Sequence, residues 1–327
     1  MTDILTNSEP RIRLSREEIS IKGKMVGFDA IQIDNVKIVV KGKSLKTAMV
    51  REEWDEDIAD PQAVVKALKE SSVRIDLFTF VQRLPESRPK YSYHMEWDSV
   101  AAIPITTHQH WLKNQIPDQT RNKIKKANKL GVEIKPISFG DELINGISSI
   151  YNETPVRQGR RNVQYNMPYE LVKKLNATFI DRCDFIAAFH KNELIGYLKI
   201  VYTDKYARVM GILGKMKHQD KSPMNLLISK AISICADRNV PYLVYAKYDY
   251  GKVGSNSLRE FKKNNGFENI LIPRYYVPIS AYGQLMLRLG LHKGIKNLLP
   301  QGLASYLRGA RTMWYSRIYS SRVARSI

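Results

Sequence analysis

A loop rich in cations separates a predicted strand at 206–213 from a predicted helix at 223–237. Its sequence is GKMKHQDKSPMN, and its cationic side chains belong to Lys215, Lys217, His218 and Lys221. Ser222 is the expected N-cap and Pro223 the expected first residue of the helix. A helix start presents unpaired N–H groups and the positive end of the helix dipole, so an anion is favoured there. We predict that the loop binds phosphate; the alternative is a solvated turn.

A second candidate anion site is the segment VRQGRRNVQY, which lies between predicted helices at 141–151 and 168–177. Guanidinium groups bind phosphate or carboxylate through paired hydrogen bonds, and a glycine lets the backbone approach closely. The residues expected to bind a ligand here are Arg157, Gln158, Arg160, Arg161 and Tyr165. The alternative is an exposed linker that binds no ligand.

A third group of candidate residues follows the predicted strand at 242–248. Tyr248 and Asp249 end that strand within the sequence VYAKYDYGKVGSN. A tyrosine or aspartate at a strand end can transfer protons in a cleft, and the N–H groups there can hold an oxyanion. The alternation of residues also fits an ordinary strand with one solvated face, to which we assign Tyr245.

His108 and His110 are one residue apart, and two imidazoles can share one metal ion. The sequence offers no third ligand beside them, and it holds six histidines and two cysteines in all. We therefore predict no metal site. Gly-x-Ser-x-Gly, a P-loop motif and a paired Cys and His are absent from the sequence, which argues against serine-hydrolase, P-loop and cysteine-nucleophile chemistry.

The elements that position these residues alternate between short strands and amphipathic helices. Strands are predicted at 30–40, 47–54, 73–82, 91–103, 132–137, 184–190, 194–202, 206–213, 242–248 and 267–278. Helices are predicted at 61–70, 107–114, 117–130, 141–151, 168–177, 223–237 and 256–264. This order predicts a mixed α+β protein with a mostly antiparallel sheet in each half.

The chain is predicted to contain two halves of similar element content, 1–137 and 138–280, and a tail at 281–327. In the tail, Leu285, Met286 and Leu289 form one face at helical spacing, opposite a basic face. No Asp or Glu follows Glu268, whereas nine Lys or Arg do. A basic amphipathic tail is typical of helices at a membrane surface. The alternative is a pair of helices that pack on the protein.

The composition predicts a globular protein with an anionic partner. The net charge of +20 exceeds what solubility needs, so RNA, a phosphorylated substrate or an anionic membrane surface is expected to bind. No apolar run is long enough to span a membrane, and the N-terminal residues lack the pattern of a signal peptide. Two cysteines make no disulfide framework, so we expect a reducing cytoplasm.

Two predicted helices end in a glycine followed by an apolar residue. NSLREFKKNNGF (256–267) resembles the helix that closes the fold of the GNAT acyltransferase superfamily, and its Phe261-Lys262 pair resembles the Fem-type branch, the FemABX aminoacyltransferases. RNKIKKANKLGV (121–132) resembles the Arg-rich helix of the same branch. The resemblance extends over about residues 105–280 and implies tandem GNAT-like halves with the acyl-CoA N-acyltransferase fold.

The resemblance implies acyl transfer, in which an acceptor amine or hydroxyl attacks an activated acyl group. In Fem-type proteins the donor is an aminoacyl-tRNA and the acceptor a nucleotide-linked or lipid-linked cell-wall precursor, and in ordinary GNAT enzymes the donor is acyl-CoA. The loop around Lys217 would then bind the donor phosphates and the loop around Arg160 the acceptor. Tyr248, Asp249 and Lys262 would handle charge or protons, and no tightly bound cofactor is expected.

The sequence departs from ordinary GNAT enzymes at two positions. Their phosphate loop is rich in glycine, whereas here lysines follow Gly214, and Lys262 stands where they often carry a proton-donating tyrosine. We expect a cytoplasmic acyl- or aminoacyltransferase of cell-envelope or surface-polysaccharide assembly, held on the inner membrane face by residues 281–327. The alternatives are an acyl-CoA-dependent N-acetyltransferase of a sugar or small amine, and a non-catalytic nucleic-acid or membrane adaptor.

Overall fold

The computed structural model describes residues 12–21, 24–157, 159–249 and 256–294. The strands are β1 Ile12–Ile21, β2 Lys24–Ile33, β3 Val36–Lys41, β4 Thr47–Val50, β5 Leu77–Val81, β6 His94–Pro104, β7 Glu133–Pro136, β8 Val156–Arg157, β9 Arg160–Arg161, β10 Cys183–His190, β11 Glu193–Tyr202, β12 Ala207–Gly214, β13 Tyr242–Lys247 and β14 Glu268–Pro278. The helices are α1 Pro61–Glu70, α2 His108–His110, α3 Asp118–Lys129, α4 Asp141–Tyr151, α5 Tyr169–Asn176, α6 Pro223–Asp237, α7 Asn256–Asn264 and α8 Ala281–Arg288.

The described residues form two compact units, and the chain passes between them within β6 and within β14. The first unit contains the residues up to Asp98 and those from Ile272 to Gly294, and the second contains Ser99–Leu271. These limits differ from the predicted halves, 1–137 and 138–280, because a strand from late in the sequence belongs to the first unit. The two units are defined by their internal contacts, whereas the predicted halves were defined by similar element content. The predicted boundary at 137/138 therefore stays a prediction.

The first unit is an open sheet in the strand order β1-β2-β3-β4-β5-β14. Its pairs are antiparallel except β4 with β5, which are parallel and joined through α1. Asp60 caps α1, since its carboxylate accepts hydrogen bonds from the N–H groups of Gln62 and Ala63. Alternate residues of the strands pack with α1 in one core that includes Ile31, Ile38 and Phe78.

The second unit is a sheet covered by helices on both faces, in the strand order β6-β13-β12-β11-β10-β7. Its pairs are antiparallel except β12 with β13, which are parallel and joined through α6. In β10, Ile186 and Ala188 pack into the core under α3 and α6. Phe185 and Ala187 point the other way, into the core under α4 and α5. The fold class, mixed α+β with mostly antiparallel sheets, is confirmed.

Two predicted elements are corrected by the structure. The predicted strand at 30–40 is a hairpin of β2 and β3, because the chain turns at Asp34 with a φ of 48°. The predicted helix at 107–114 is a single α-turn, α2, that continues as a π-helix at Trp111–Gln115. The wider π-turn places the Trp111 ring fully inside the core.

The described part of the tail consists of α8 and a short turn at Leu291–Lys293. Within α8, Leu287 is buried, whereas Leu285 and, after the helix, Leu289 are 53% and 58% exposed. The remaining tail residues, 295–327, lie outside the described residues. Among the helices that the structure describes, none has the length and apolar character needed to cross a bilayer.

Gly266 ends α7 in a left-handed conformation with a φ of 84°, and a Cβ there would lie 3.0 Å from Nε1 of Trp111. Gly131 ends α3 with a φ of 75°, and a Cβ added to this residue would meet nothing within 4 Å. The two glycines therefore share a backbone conformation and differ in the space around them.

We expect Gly266→Ala to lower the free energy of unfolding by about 2–3 kcal/mol, from backbone strain and overpacking together. The matched control Gly131→Ala adds backbone strain alone and should cost about 1 kcal/mol. Urea unfolding of the two variants measures the difference. Equal destabilisation would show that the contact with Trp111 adds nothing.

Candidate functional site

Lys262, on α7, is a fully buried lysine. Its side chain is 0% exposed, and its Nζ donates a hydrogen bond to the carbonyl oxygen of Lys247 at 2.6 Å. The same ammonium lies 4.5 Å from the centre of the Tyr245 ring. Burial lowers the pKa of Lys262 to about 8, because the charged form is deprived of water. The group can therefore exchange a proton near neutral pH.

The strand that carries Lys247 is bulged next to this contact. In the pairing of β13 with β6, Val244 lies opposite Ala102 and Lys247 opposite Val100, so β13 has one extra residue. Ala246, inside the bulge, has a φ of 47°, which is strained for an alanine. β13 pairs in parallel with β12 through Leu243 and Val244, before the bulge. The bulge reorients the end of β13, where the carbonyl of Lys247 meets Lys262.

The end of α7 is fixed by a network of buried polar groups. The N–H groups of Gly266 and Phe267 donate to the carbonyls of Lys263 and Lys262, both at 3.0 Å. Asn265 is fully buried; its backbone carbonyl accepts from Nε1 of Trp111, and its side-chain oxygen accepts from Nδ2 of Asn225, both at 3.0 Å. These contacts hold the last turn of α7, and hence Lys262, against the sheet.

Tyr248 and Asp249 lie at the same strand end as Lys262. Their backbone N–H groups donate to the carbonyl oxygen of Ser99 at 3.2 Å and to its Oγ at 3.1 Å. Tyr248 is half-buried and packs against the core, whereas Asp249 is exposed and lies 3.6 Å from the guanidinium of Arg259. The structure thus places the three residues predicted to be catalytic around one end of β13. Their catalytic roles stay predictions.

The loop predicted to bind phosphate folds as a 3-10 helix, Met216–Lys221, and its cations converge on one carboxylate. Nζ of Lys215 lies 2.6 Å from Oε1 of Glu193, and Nζ of Lys217 lies 2.8 Å from the same atom. Nε2 of His218 lies 3.1 Å from Oε2. We call these four residues the Glu193 cluster. Lys221, by contrast, pairs with its neighbour Asp220 at 3.1 Å.

The Glu193 cluster is strongly coupled. Burial opposes ionisation of Glu193, but hydrogen bonds from Lys215, Lys217 and His218 outweigh it and lower the pKa of that carboxyl to about 2. A second carboxylate, that of Glu153, accepts hydrogen bonds from the backbone N–H groups of Met216 at 2.6 Å and Lys217 at 2.9 Å. The cationic side chains and N–H groups of the loop are thus bound to carboxylates of the chain itself, and phosphate binding by the loop stays a prediction.

The predicted N-cap of the following helix is wrong. Ser222 has a φ of 53° and its side chain makes no capping hydrogen bond, so it is a left-handed link between the 3-10 helix and α6. Pro223 is the first residue of α6, as predicted. An N-cap needs an extended backbone to aim its hydroxyl at the first turn, and the preceding 3-10 helix prevents this.

The arginine-rich segment forms the small hairpin of β8 and β9. Arg157 donates from its guanidinium to the carbonyl oxygen of Gly214 at 2.6 Å and to that of Ile150 at 3.3 Å. Arg160 and Arg161 are exposed, and Tyr165 is 38% exposed. Gln158, also predicted to bind the acceptor, lies outside the described residues. Arg157 thus joins the hairpin to the start of the cationic loop, while Arg160 and Arg161 are accessible to a ligand.

Solved structures that are similar to this chain include FemX and a synthetase domain. The crystal structure of FemX superposes with a TM-score of 0.54 at 10% identity, covering 85% of this chain and 90% of FemX. The chain has a Fem-like GNAT fold. The C-terminal domain of a candidate lysylphosphatidylglycerol synthetase from Agrobacterium fabrum superposes with a TM-score of 0.51 at 12% identity, covering 79% of this chain and 85% of that domain.

The predicted fold of tandem GNAT-like halves is confirmed. The similarity to FemX covers 85% of this chain, which is more than either compact unit contains. No protein-family model and no curated protein matches the chain.

Sequence reasoning missed three features of the site in this Fem-like GNAT fold. The bulge at Ala246 has no sequence signal, because alanine is an ordinary strand residue. Glu193 and Glu153 were missed because each is far in sequence from the loop that it binds. Asn265 was part of the closing-helix motif, but only the structure shows that it is buried and bonded to α6 and to the π-helix.

We expect Glu193→Gln to lower the free energy of unfolding at pH 7 by roughly 1–3 kcal/mol, since a charged acceptor is lost. The pKa of Glu193 is depressed from 4.5 to about 2, so its contribution is present above pH 4.5. The difference between the two proteins should shrink as the pH falls from about 4.5 towards 2. Urea unfolding at pH 7, 5 and 4 measures it.

The matched control is Glu268→Gln, which changes an exposed glutamate at the start of β14. It should leave the free energy of unfolding within about 0.5 kcal/mol of the parent protein. If Glu193→Gln behaved like this control at pH 7, the ion pairs around Glu193 would contribute nothing to stability.

Proposed function

We propose that the protein is an acyl- or aminoacyltransferase that acts on a precursor of the cell envelope or of a surface polysaccharide. The observation that carries the proposal is the buried ammonium of Lys262, held at a bulged strand end with a pKa of about 8. FemX and the lysylphosphatidylglycerol synthetase domain support the class of reaction through their shared fold. Fold likeness alone does not assign chemistry, so the proposal depends on this lysine.

The reaction proposed is direct attack of an acceptor amine on the carbonyl carbon of an activated ester or thioester. A new C–N bond forms, the bond to the leaving oxygen or sulfur breaks, and the proton lost by the amine goes to the leaving group. Orientation of the two substrates supplies much of the rate. The ammonium of Lys262 stabilises the developing oxyanion and relays this proton, since it gives one proton to the leaving group and recovers the one that the amine loses.

The donor proposed is an aminoacyl-tRNA, with acyl-CoA as the alternative co-substrate. Its phosphates would bind at the loop carrying Lys215, Lys217, His218 and Lys221, where they would replace the carboxylate of Glu193. Lys217 is 55% exposed and Glu193 35% exposed, so this ion pair is open to exchange with a phosphate from solvent. Lys215 is buried and would keep its place in the loop.

The acceptor proposed is a phosphorylated or lipid-linked precursor. Arg160 and Arg161 are exposed on the β8–β9 hairpin and suit the diphosphate of such a molecule. Tyr165 follows them with a partly exposed ring that can stack on a sugar or base. Arg157, whose guanidinium is bonded to backbone carbonyls, would position this hairpin beside the cationic loop.

We expect Lys262→Met to lower the rate of transfer at least about 100-fold, since a positioned proton donor is lost. The probes are total tRNA charged with radioactive amino acids, acetyl-CoA in parallel, and a mixture of nucleotide-linked and lipid-linked envelope precursors. Lys263→Met, which changes the exposed neighbour, is the matched control and should keep its rate. In the parent protein, activity should fall as the pH rises through about 8, where Lys262 loses its proton.

The thermal stability of Lys262→Met shows whether a loss of activity comes from lost chemistry or from unfolding. The pKa of Lys262 is lowered from 10.5 to about 8, so below pH 8 the folded state bears the full cost of the buried charge. That cost disappears as the pH rises from 8 to 10.5. Lys262→Met should therefore melt no lower than the parent protein at pH 7. Full transfer activity in a folded Lys262→Met protein would refute the proposed role.

The location proposed is the cytoplasmic face of the inner membrane, reached through residues 281–327. The exposed side chains of Leu285 and Leu289 lie at one end of this segment, and no acidic residue opposes its basic ones. Apolar insertion and attraction of about 1 kcal/mol per basic residue near anionic lipid would act together.

We expect Leu285→Ser/Leu289→Ser to weaken co-sedimentation with vesicles of phosphatidylglycerol and phosphatidylcholine at least about threefold, because apolar insertion is lost. The double variant Leu130→Ser/Leu271→Ser removes two other exposed leucines and is the matched control. A chain that ends at residue 294 should bind less than either variant. Equal binding by all four proteins would exclude the tail as the membrane anchor.

A further inference from the structure

Three side chains of the first unit converge at the start of β6 and the turn after α8. They are His94 and Glu96 on β6 and His292 in the turn Leu291–Lys293. We propose that these three residues bind a divalent transition-metal ion, with zinc as the expected metal. This site is separate from the proposed transfer site, which lies in the second unit, so each can fail without the other.

The spacing of the donor atoms fits a small coordination sphere. Nε2 of His292 lies 3.0 Å from Oε1 of Glu96, and Nε2 of His94 lies 3.4 Å from the same oxygen. All the donor atoms lie within 4.8 Å of one another. Zinc binds imidazole nitrogen and carboxylate oxygen at about 2.0–2.1 Å in tetrahedral geometry, which separates neighbouring ligand atoms by roughly 3.3 Å. The two distances to Glu96 are thus close to the separation that zinc requires.

The surroundings leave one coordination position accessible. The side chain of His292 is 2% exposed, that of Glu96 25% and that of His94 47%, so an ion would be shielded on one side and reachable on the other. His94 also lines a cavity of about 360 Å³ together with Tyr276, Gln284 and Arg288. Water or a small ligand from this cavity would supply the fourth ligand, as in zinc sites with an open position.

The ligand types favour zinc over the hard cations. Two imidazoles and one carboxylate suit zinc and its neighbours, whereas calcium and magnesium require oxygen ligands. The ring of His292 is held in place by the ring of Tyr276, whose centre lies 4.6 Å away. A ligand that is fixed before the metal binds loses little conformational freedom on binding.

Two features of the cluster limit the affinity. Nζ of Lys293 lies 3.0 Å from Oε1 of Glu96, so an ammonium competes with the metal for this oxygen. Lys293 is 52% exposed and can turn outward when an ion binds. Within the described residues, Nδ1 of His292 is buried and has no hydrogen-bond partner, so the usual support for a ligating imidazole is missing. We therefore expect a dissociation constant of about micromolar size, weaker than that of a typical structural zinc site.

This site departs from the prediction of no metal made from the sequence. The histidines considered there, His108 and His110, are bonded to Ser229 and Asn114, at 2.9 and 3.0 Å. His292 is far in sequence from His94 and Glu96, and no spacing rule joins them. Metal binding would hold the turn after α8, which belongs to the tail, against β6.

The test uses the full chain without a polyhistidine tag, stripped of metal with a chelator. Titration calorimetry with zinc, and visible absorption with cobalt, which absorbs strongly in tetrahedral sites, should give one equivalent bound. His94→Ala and Glu96→Gln change partly exposed side chains and should each weaken binding at least about tenfold. His110→Ala removes an exposed histidine elsewhere and should bind like the parent protein.

Lys293→Ala is expected to change the zinc affinity in the opposite direction. Removing the competing ammonium should tighten zinc binding about fivefold, from the Coulomb energy of a nearby like charge in water. The alternative is a cluster of ion pairs that binds no metal, in which Lys293 and the two histidines merely surround Glu96. Absence of zinc binding at micromolar concentrations, or equal binding by His94→Ala and the parent protein, would overturn the proposal.

Discussion

The arrangement of the candidate site depends on one hydrogen bond, from the ammonium of Lys262 to the carbonyl of Lys247. An ammonium removed from water costs several kcal/mol unless fixed dipoles replace its hydration. Here the carbonyl of Lys247, next to the bulge at Ala246, accepts from the ammonium, and the Tyr245 ring adds its negative face. The packing of α7 positions the ammonium, and the bulged end of β13 supplies the carbonyl that accepts from it, so this hydrogen bond requires both.

The Glu193 cluster shows why net charge alone did not locate an open anion site. A carboxylate of the same chain has a high effective concentration at its partner, so it fills a cationic loop before a dilute ligand does. A phosphate carries up to two charges where a carboxylate carries one, which compensates for part of that advantage. Binding of a phosphorylated donor at Lys217 would thus be an exchange of anions, with an affinity set by the difference between two favourable interactions.

Sequence periodicity located most of the helices and central strands but missed β1, β8 and β9, and it did not predict the contacts between elements. The helices at Pro61–Glu70 and Asp141–Tyr151 have the predicted bounds, because a proline or an acidic first turn marks their starts. The hairpin around Asp34 was read as one strand, although the alternation of apolar residues changes phase at Asp34 and Asn35, which mark the turn. The residues that complete the candidate site, Glu193, Glu153 and Ala246, could not be found in this way. Each acts through a pairing or a backbone angle that only the folded chain creates.

The lysines Lys199, Lys215 and Lys262 are buried, and each is held by polar groups of another segment. Nζ of Lys199 donates to the carbonyls of Asn176 and Thr178, and Lys215 is bonded to a carboxylate, so both link segments that would otherwise separate. Lys262 lies on a helix that glycine, asparagine and tryptophan contacts already fix, and its pKa remains lowered. A methionine of similar length would fill the same space without the cost of burying a charge. Lys262 also links two elements, α7 and β13, through the carbonyl of Lys247, so its hydrogen bond serves the fold; its lowered pKa would in addition suit the proton transfer that we propose for it.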